Sequence, residues 1–148
     1  MIGMIPSLKE IRFTIAGCPH AKERSRHATL PNGRMYDYTP AKTVKYERLV
    51  RSMCAKAVEK YGKMPDDVPV RVEAWFYIEM PRSWSKHKRA EYNGRYHISK
   101  PDGDNLLKSI LDGCNTIAFK DDCCVAESFS HKYWSDCPRT EVHISMCD

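Results

Sequence analysis

Five aspartates are concentrated between residues 100 and 125, in the stretch KPDGDNLLKSILDGCNTIAFKDDCCV. They are Asp102, Asp104, Asp112, Asp121 and Asp122. Carboxylate oxygens are the ligands that Mg²⁺ prefers, and two or three of them leave room in its octahedral shell for water and for substrate oxygens. The stretch therefore predicts a divalent-metal site, provided that the fold brings some of these carboxylates together.

A helix over residues 104–114 would have one apolar face and one chemical face. At about 100° per residue, Asp104 and Lys108 lie together on the side opposite the apolar residues. Asp102 precedes this helix across Gly103, and Asp122 lies on the turn into the next strand, so three carboxylates from two elements could converge. A metal ion there would activate water against a phosphodiester, and Lys108 would neutralise charge at the phosphate.

Ordinary structural roles could also explain these residues. Asp102 or Asp104 could cap the helix N-terminus, and Lys108 could form ion pairs with the acids one turn before and after it. The Asp121–Asp122 pair could simply form a turn. The spacing alone leaves both interpretations open.

The remainder of the chain is basic, with a net charge of +5. Residues 1–60 hold 12 Lys and Arg against 5 Asp and Glu, as expected of a protein that attracts a polyanion such as DNA; a mixed solvated surface is the alternative. The predicted phosphate-contacting residues are Lys22, Arg24, Arg26, Arg34 and Lys100. Three aromatic residues near other cations could stack on unpaired bases or merely pack: Trp84, Tyr92 and Tyr96.

The chain length of 148 residues fits a single domain with a short flexible N-terminus, about residues 1–9. We expect a cytoplasmic protein, because no stretch is typical of a membrane span or a signal peptide. The seven cysteines are odd in number and scattered, which indicates free thiols. A Zn²⁺ site is conceivable but lacks a C-x-x-C pair; its candidates are Cys114, Cys123, Cys124, Cys137 and His131.

The periodicity of apolar residues predicts an α+β fold with a mixed sheet. The predicted strands are 11–16, 70–80, 123–134 and 139–146, and the predicted helices are 40–61, 83–92 and 104–114. The apolar stripe of the first helix, which includes Leu49 and Tyr61, is expected in the core. Residues 22–34, with a Pro-Asn-Gly turn, are expected to form a hairpin or a mobile arm.

The acidic stretch and three others resemble the RusA family of Holliday-junction resolvases, small endonucleases common in bacterial prophages. The other stretches are FTIAGCPHAKERSRH (13–27), YTPAKTVKYERLV (38–50) and YWSDCPRTEVHI (133–144), so the resemblance covers nearly the whole chain. The chain departs from the family at Glu23-Arg24-Ser25, where many members have Gly-Arg-Pro.

This resemblance implies that Asp102, Asp104 and Asp122 bind Mg²⁺ or Mn²⁺ and that Lys108 is the catalytic lysine. Asp121 is the alternative to Asp122 as the third metal ligand. Asp122 is preferred because the family's ligand stands three residues before a valine, here Val125. The family acts as a two-fold homodimer on four-way DNA and makes paired symmetric nicks, without a small-molecule cofactor. Alternatives are a non-catalytic binder of branched DNA and a metal nuclease that prefers flaps or forks.

Overall fold

The structure is a computed structural model that describes residues 9–147. Its strands are β1 (Glu10–Ala16), β2 (Arg26–Thr29), β3 (Met35–Tyr38), β4 (Val70–Glu79), β5 (Val125–Ser135) and β6 (Arg139–Met146). Its helices are α1 (Ala41–Tyr61), α2 (Lys86–Tyr92) and α3 (Gly103–Cys114), and a 3₁₀ turn covers Asp122–Cys124.

Four strands form one mixed sheet in the order β1–β6–β4–β5. Only β4 and β5 are parallel, while β6 pairs antiparallel with both β1 and β4. Strand β4 alternates strictly: Val70, Val72, Ala74, Phe76 and Ile78 are buried, and the residues between them are partly exposed. Such alternation is typical of a sheet that is covered on one face.

Helices α1 and α3 cover this apolar face and pack closely against each other. Helix α1 buries Thr43, Tyr46, Val50, Cys54 and Ala57. Gly113 of α3 lies directly against Val50: a Cβ built on Gly113 would be 2.3 Å from Val50 Cγ1. Glycine therefore sets how closely the two helices approach.

Strands β2 and β3 form a separate two-stranded hairpin outside the main sheet. Its turn contains Gly33 at φ 84°, a left-handed conformation that suits glycine. Every residue of the two strands is exposed except Ala28, which is partly exposed. The hairpin thus contributes no side chain to the core.

The predicted α+β fold with a mixed sheet is confirmed. Residues 1–8 lie outside the described residues, so only Lys9 of the predicted flexible N-terminus is described. All seven cysteines are free thiols, as predicted. Between residues 9 and 147, no helix is both long enough and apolar enough to cross a bilayer.

One expectation for α1 is wrong. Leu49 and Tyr61 are 40% and 39% exposed rather than buried. The helix faces the sheet through the row that contains Val50 and Cys54, and Leu49 lies about 100° around the helix from Val50. The buried stripe also includes Thr43 and Cys54, which the apolar pattern did not single out.

Candidate active site

The N-terminus of α3 presents two acidic side chains to solvent. Asp102 occupies the N-cap position, and its carbonyl oxygen accepts a hydrogen bond from the Leu106 amide at 3.1 Å. Its carboxylate accepts no capping bond. Asp104 lies in the first turn, and both side chains are exposed. Neither carboxylate is committed to holding the helix end.

Two contacts with β5 fix the position of this helix end. A Cβ on Gly103 would lie 2.8 Å from Ser130 Oγ, so the backbone of α3 begins directly against the strand. The Lys132 ammonium donates to the carbonyl oxygens of Ser99 at 2.8 Å and Pro101 at 2.9 Å. Strand β5 therefore holds the segment that leads into Asp102.

Lys132 was missed by sequence reasoning. Its register opposite Phe76 places it on the helix-covered face of the sheet, where an apolar residue would be usual. A lysine at an inward position of a strand is the signal that could have indicated it, because such a cation needs acceptors.

Lys108 is exposed one turn after Asp104. Within residues 9–147 neither Lys108 nor Asp104 has an ion-pair or hydrogen-bonding side-chain partner. The i,i+4 pairs that could have explained these residues as surface charges are therefore not formed. An ammonium and two carboxylates remain available at one end of α3.

The two adjacent aspartates before β5 differ in what they contact. Asp121 caps the 3₁₀ turn: one of its carboxylate oxygens accepts the Asp122 amide at 2.8 Å, and Cys123 Sγ lies 3.6 Å from the other. The Asp122 carboxylate has no hydrogen-bond partner in the described part of the chain. Partial burial is the largest cause that raises the pKa of Asp122, and the negative charges of Asp112 and Asp121 raise it further. A nearby cation would relieve this repulsion.

Lys22 contacts carboxylates of the two covering helices. Its ammonium is 2.9 Å from Asp112 and 3.6 Å from Glu47, and its backbone amide donates to the Asn105 carbonyl at 2.9 Å. The hydrogen bond to Asp112 is the main reason that the pKa of Lys22 is raised. Lys22 thus joins the segment after β1 to α1 and α3, and Asp112 is already paired.

The structure gathers the predicted metal ligands only in part. Asp102 and Asp104 share the N-terminal end of α3. The charges that act on Asp122 instead belong to Asp121 and to Asp112, which lies near the C-terminal end of α3. Across residues 9–147, no three His, Cys, Asp or Glu side chains are arranged to hold a metal ion. The donor chemistry fits Mg²⁺, but Asp102, Asp104 and Asp122 are not arranged as a metal-binding group in this structure.

The candidates for the conceivable zinc site do not assemble in the described part of the chain. Cys54 and Cys114 are fully buried, while Cys123 and Cys137 are exposed. The cysteines therefore divide between the core and separate surface positions.

The other predicted DNA contacts are surface residues. Arg24, Arg34 and Lys100 are exposed and have no acidic partner within residues 9–147, whereas Arg26 donates to Glu23 at 3.0 Å. Their contact with DNA stays a prediction.

The three aromatic candidates differ in their surroundings. Trp84 packs between Tyr92 and Trp134, with ring centroids 5.1 and 4.9 Å away. Tyr96 stacks on Tyr133 and is 71% exposed. Of the three, Tyr96 is the one with a largely free surface.

Comparison with known proteins identifies the class of this molecule. The family model described as Endodeoxyribonuclease RusA matches residues 16–145. The chain is also 31% identical over 141 residues to the "Uncharacterized protein YqaN" of Bacillus subtilis (strain 168), over 90% of this chain and 94% of that protein. The family match places the chain in a class of DNA-cutting proteins. The chain belongs to the RusA endodeoxyribonuclease family, which confirms the predicted resemblance.

Proposed function

We propose that this protein is a Mg²⁺-dependent, homodimeric endonuclease that resolves four-way DNA junctions by paired symmetric nicks. Family membership supports a nuclease that acts on branched DNA. The observation that carries the proposal is that the carboxylates of Asp102, Asp104 and Asp122 hold no part of the fold together. The absence of structural bonds to these three acids, together with the family match, supports a cation that binds during function.

The assignment of Asp122 rather than Asp121 rests on the bonds that each one makes. Asp121 uses one carboxylate oxygen to cap the 3₁₀ turn, while Asp122 is unpartnered in the described chain and carries a raised pKa. In this proposal Asp102, Asp104 and Asp122 hold the ion, with Mn²⁺ able to replace Mg²⁺. A divalent cation there would supply Lewis-acid assistance to the attack of water and to the departure of the leaving oxygen.

The remaining steps fall to groups of the chain itself. The unpaired ammonium of Lys108, one turn from Asp104, would neutralise charge as it develops on the phosphate oxygens. The N-terminal end of α3 is the positive end of the helix dipole and favours the phosphate at the same place. A two-fold dimer would offer one such site to each of the two equivalent strands of a four-way junction.

The test uses a synthetic four-way junction with wild type and with Asp104→Asn, each with and without Mg²⁺. We expect paired nicks only from wild type with Mg²⁺, while the variant still shifts the junction on a gel. Asp136→Asn is the matched control, because Asp136 is an exposed aspartate in the β5–β6 turn, and it should cut like wild type. Equal cutting by wild type and Asp104→Asn would remove Asp104 from the mechanism.

Two further comparisons separate the alternatives. Asp122→Asn should abolish cutting, whereas Asp121→Asn should retain it with some loss of stability. Parallel assays on flaps and forks show which branch is preferred, and light scattering gives the mass in solution. Binding without cutting by wild type, at any Mg²⁺ or Mn²⁺ concentration, would favour a non-catalytic binder of branched DNA.

A further inference from the structure

The two faces of the β2–β3 hairpin differ in chemistry. The register pairs Arg26 with Tyr38 and Ala28 with Tyr36, and the next pair, Leu30 and Arg34, closes the turn through a backbone bond of 2.7 Å. Residues that are directly opposite in a sheet share a face. One face, here called the tyrosine face, therefore carries Arg26, Ala28, Leu30, Arg34, Tyr36 and Tyr38.

The opposite face has a different composition. It carries His27, Thr29, Met35 and Asp37, and His27 is hydrogen-bonded to Asp37. The acid of the hairpin strands thus lies on this face. The tyrosine face holds two arginines: Arg26 is paired with Glu23, which precedes β2, and Arg34 has no acidic partner in the described part of the chain. The cations and the aromatic rings are gathered on one side.

The rings of the tyrosine face are open to solvent. Tyr36 and Tyr38 are 46% and 42% exposed, and their ring centroids are 6.1 Å apart in a tilted arrangement. Leu30 beside them is 42% exposed. Arg34, at the hairpin turn, has no acidic partner within residues 9–147. Exposed aromatic rings between arginines are the surface that proteins use for unstacked nucleobases and their phosphates.

We propose that the tyrosine face of the hairpin recognises the branch point of the DNA, with Tyr36 and Tyr38 stacking on bases that lose a stacking neighbour there and Arg34 contacting the adjacent phosphate. This inference rests on the proposed function and names the part of the substrate that the hairpin contacts. A paired duplex presents few free base faces, whereas a branch presents them where its arms meet. The hairpin therefore distinguishes a branch from linear DNA without reading its sequence.

Binding measured without Mg²⁺ tests this inference separately from cleavage. The dissociation constants of wild type, Tyr36→Ala, Tyr36→Phe and Met35→Ala are compared for a four-way junction and for a linear duplex of the same length. We expect Tyr36→Ala to weaken junction binding by about 5- to 150-fold and to leave duplex binding nearly unchanged. Tyr36→Phe keeps the ring, and Met35→Ala changes the opposite face, so both should bind like wild type.

Salt dependence separates stacking from charge. Arg34→Ala should reduce the slope of log K against log salt by about 1, whereas Tyr36→Ala should leave that slope unchanged. Unchanged circular dichroism and melting temperature would show that each variant is folded, as expected for exposed residues of a hairpin that lies outside the core.

Photocrosslinking locates the contact directly. A junction with 5-iododeoxyuridine at the branch should crosslink to the peptide that contains Tyr36 and Tyr38, and the same base at an arm end should not. The inference is overturned if Tyr36→Ala binds the junction like wild type, or if it weakens binding to duplex and junction equally. It is also overturned if Tyr36→Ala instead reduces the mass of the protein in solution, because the face would then belong to a contact with a second copy of the chain. A wild type that binds and crosslinks in this way but never cuts with Mg²⁺ would refute the proposed catalysis and leave this inference standing.

Discussion

Replacing Gly113 with alanine should destabilise the protein, although alanine is the better helix former. An added Cβ would lie 2.3 Å from Val50 Cγ1 and 2.6 Å from Val50 Cβ. Carbon atoms in good contact are about 3.5 to 4.0 Å apart. Rotation of the Val50 side chain moves Cγ1 away but leaves Cβ in place, so α3 must move away from α1 by roughly 1 Å.

The size of the effect follows from two opposing contributions. Alanine in place of glycine inside a helix stabilises by about 1 kcal/mol. Overpacking a dense core costs about 1–3 kcal/mol, and the two contacts below 3 Å place this position toward the upper end. We therefore expect Gly113→Ala to lower the free energy of unfolding by about 2 kcal/mol.

Urea denaturation followed by circular dichroism measures this change. Asn105→Ala is the matched control, since it raises helix propensity at an exposed position of α3 and should stabilise slightly. Adding Val50→Ala to Gly113→Ala removes the 2.3 Å contact but not the 2.6 Å one, so the cost of the second change should be smaller in the Gly113→Ala background than in wild type. A Gly113→Ala protein as stable as wild type, or more stable, would refute the inference that glycine sets this helix spacing.

Two predictions concern the segment that leads into α3. Lys132→Met removes the donor to the Ser99 and Pro101 carbonyls. Amide hydrogen exchange in residues 98–102 should therefore accelerate, and junction cleavage should slow by about tenfold. Unchanged exchange would contradict the positioning role of Lys132. His97 is buried beside Trp134, and its pKa is lowered mainly by burial and further by the charge of Lys132. The unfolded chain therefore binds the proton more readily than the native state, and the native state loses stability as pH falls below the ordinary histidine range. His97→Gln should therefore lose less melting temperature than wild type between pH 7.5 and pH 5.0, and an equal loss in both proteins would contradict this.

Periodic apolar residues made most of the fold predictable. Strand β6 was predicted at 139–146, where the structure has it, and strict alternation predicted β4 to within one residue. Helix α2 was predicted at 83–92; it begins after Ser85, whose hydroxyl accepts the Lys88 amide as a cap. In these segments, neighbours in the chain determine the structure.

The parts of the candidate site that were not predicted depend on contacts between distant residues. Lys22 was expected at a DNA phosphate. Its partner Asp112 lies far along the chain, and only the packing of the segment after β1 against α3 brings the two together. Likewise, the bonds of Lys132 depend on the parallel pairing of β5 with β4, which no local pattern contains. The spacing of acids also could not show that the charge of Asp112, rather than the charges of Asp102 and Asp104, acts on Asp122.

The isolation of the hairpin has a consequence for how proteins of this architecture diversify. Because its strands pair only with each other and bury nothing in the core, substitutions there carry little penalty in folding. Target preference could therefore drift between lineages while the acids of α3 stay in place. The same independence makes residues 26–38 a unit that can be exchanged. If the hairpin recognises the branch as proposed, a hairpin grafted from a relative should transfer that relative's DNA preference without a redesign of the scaffold.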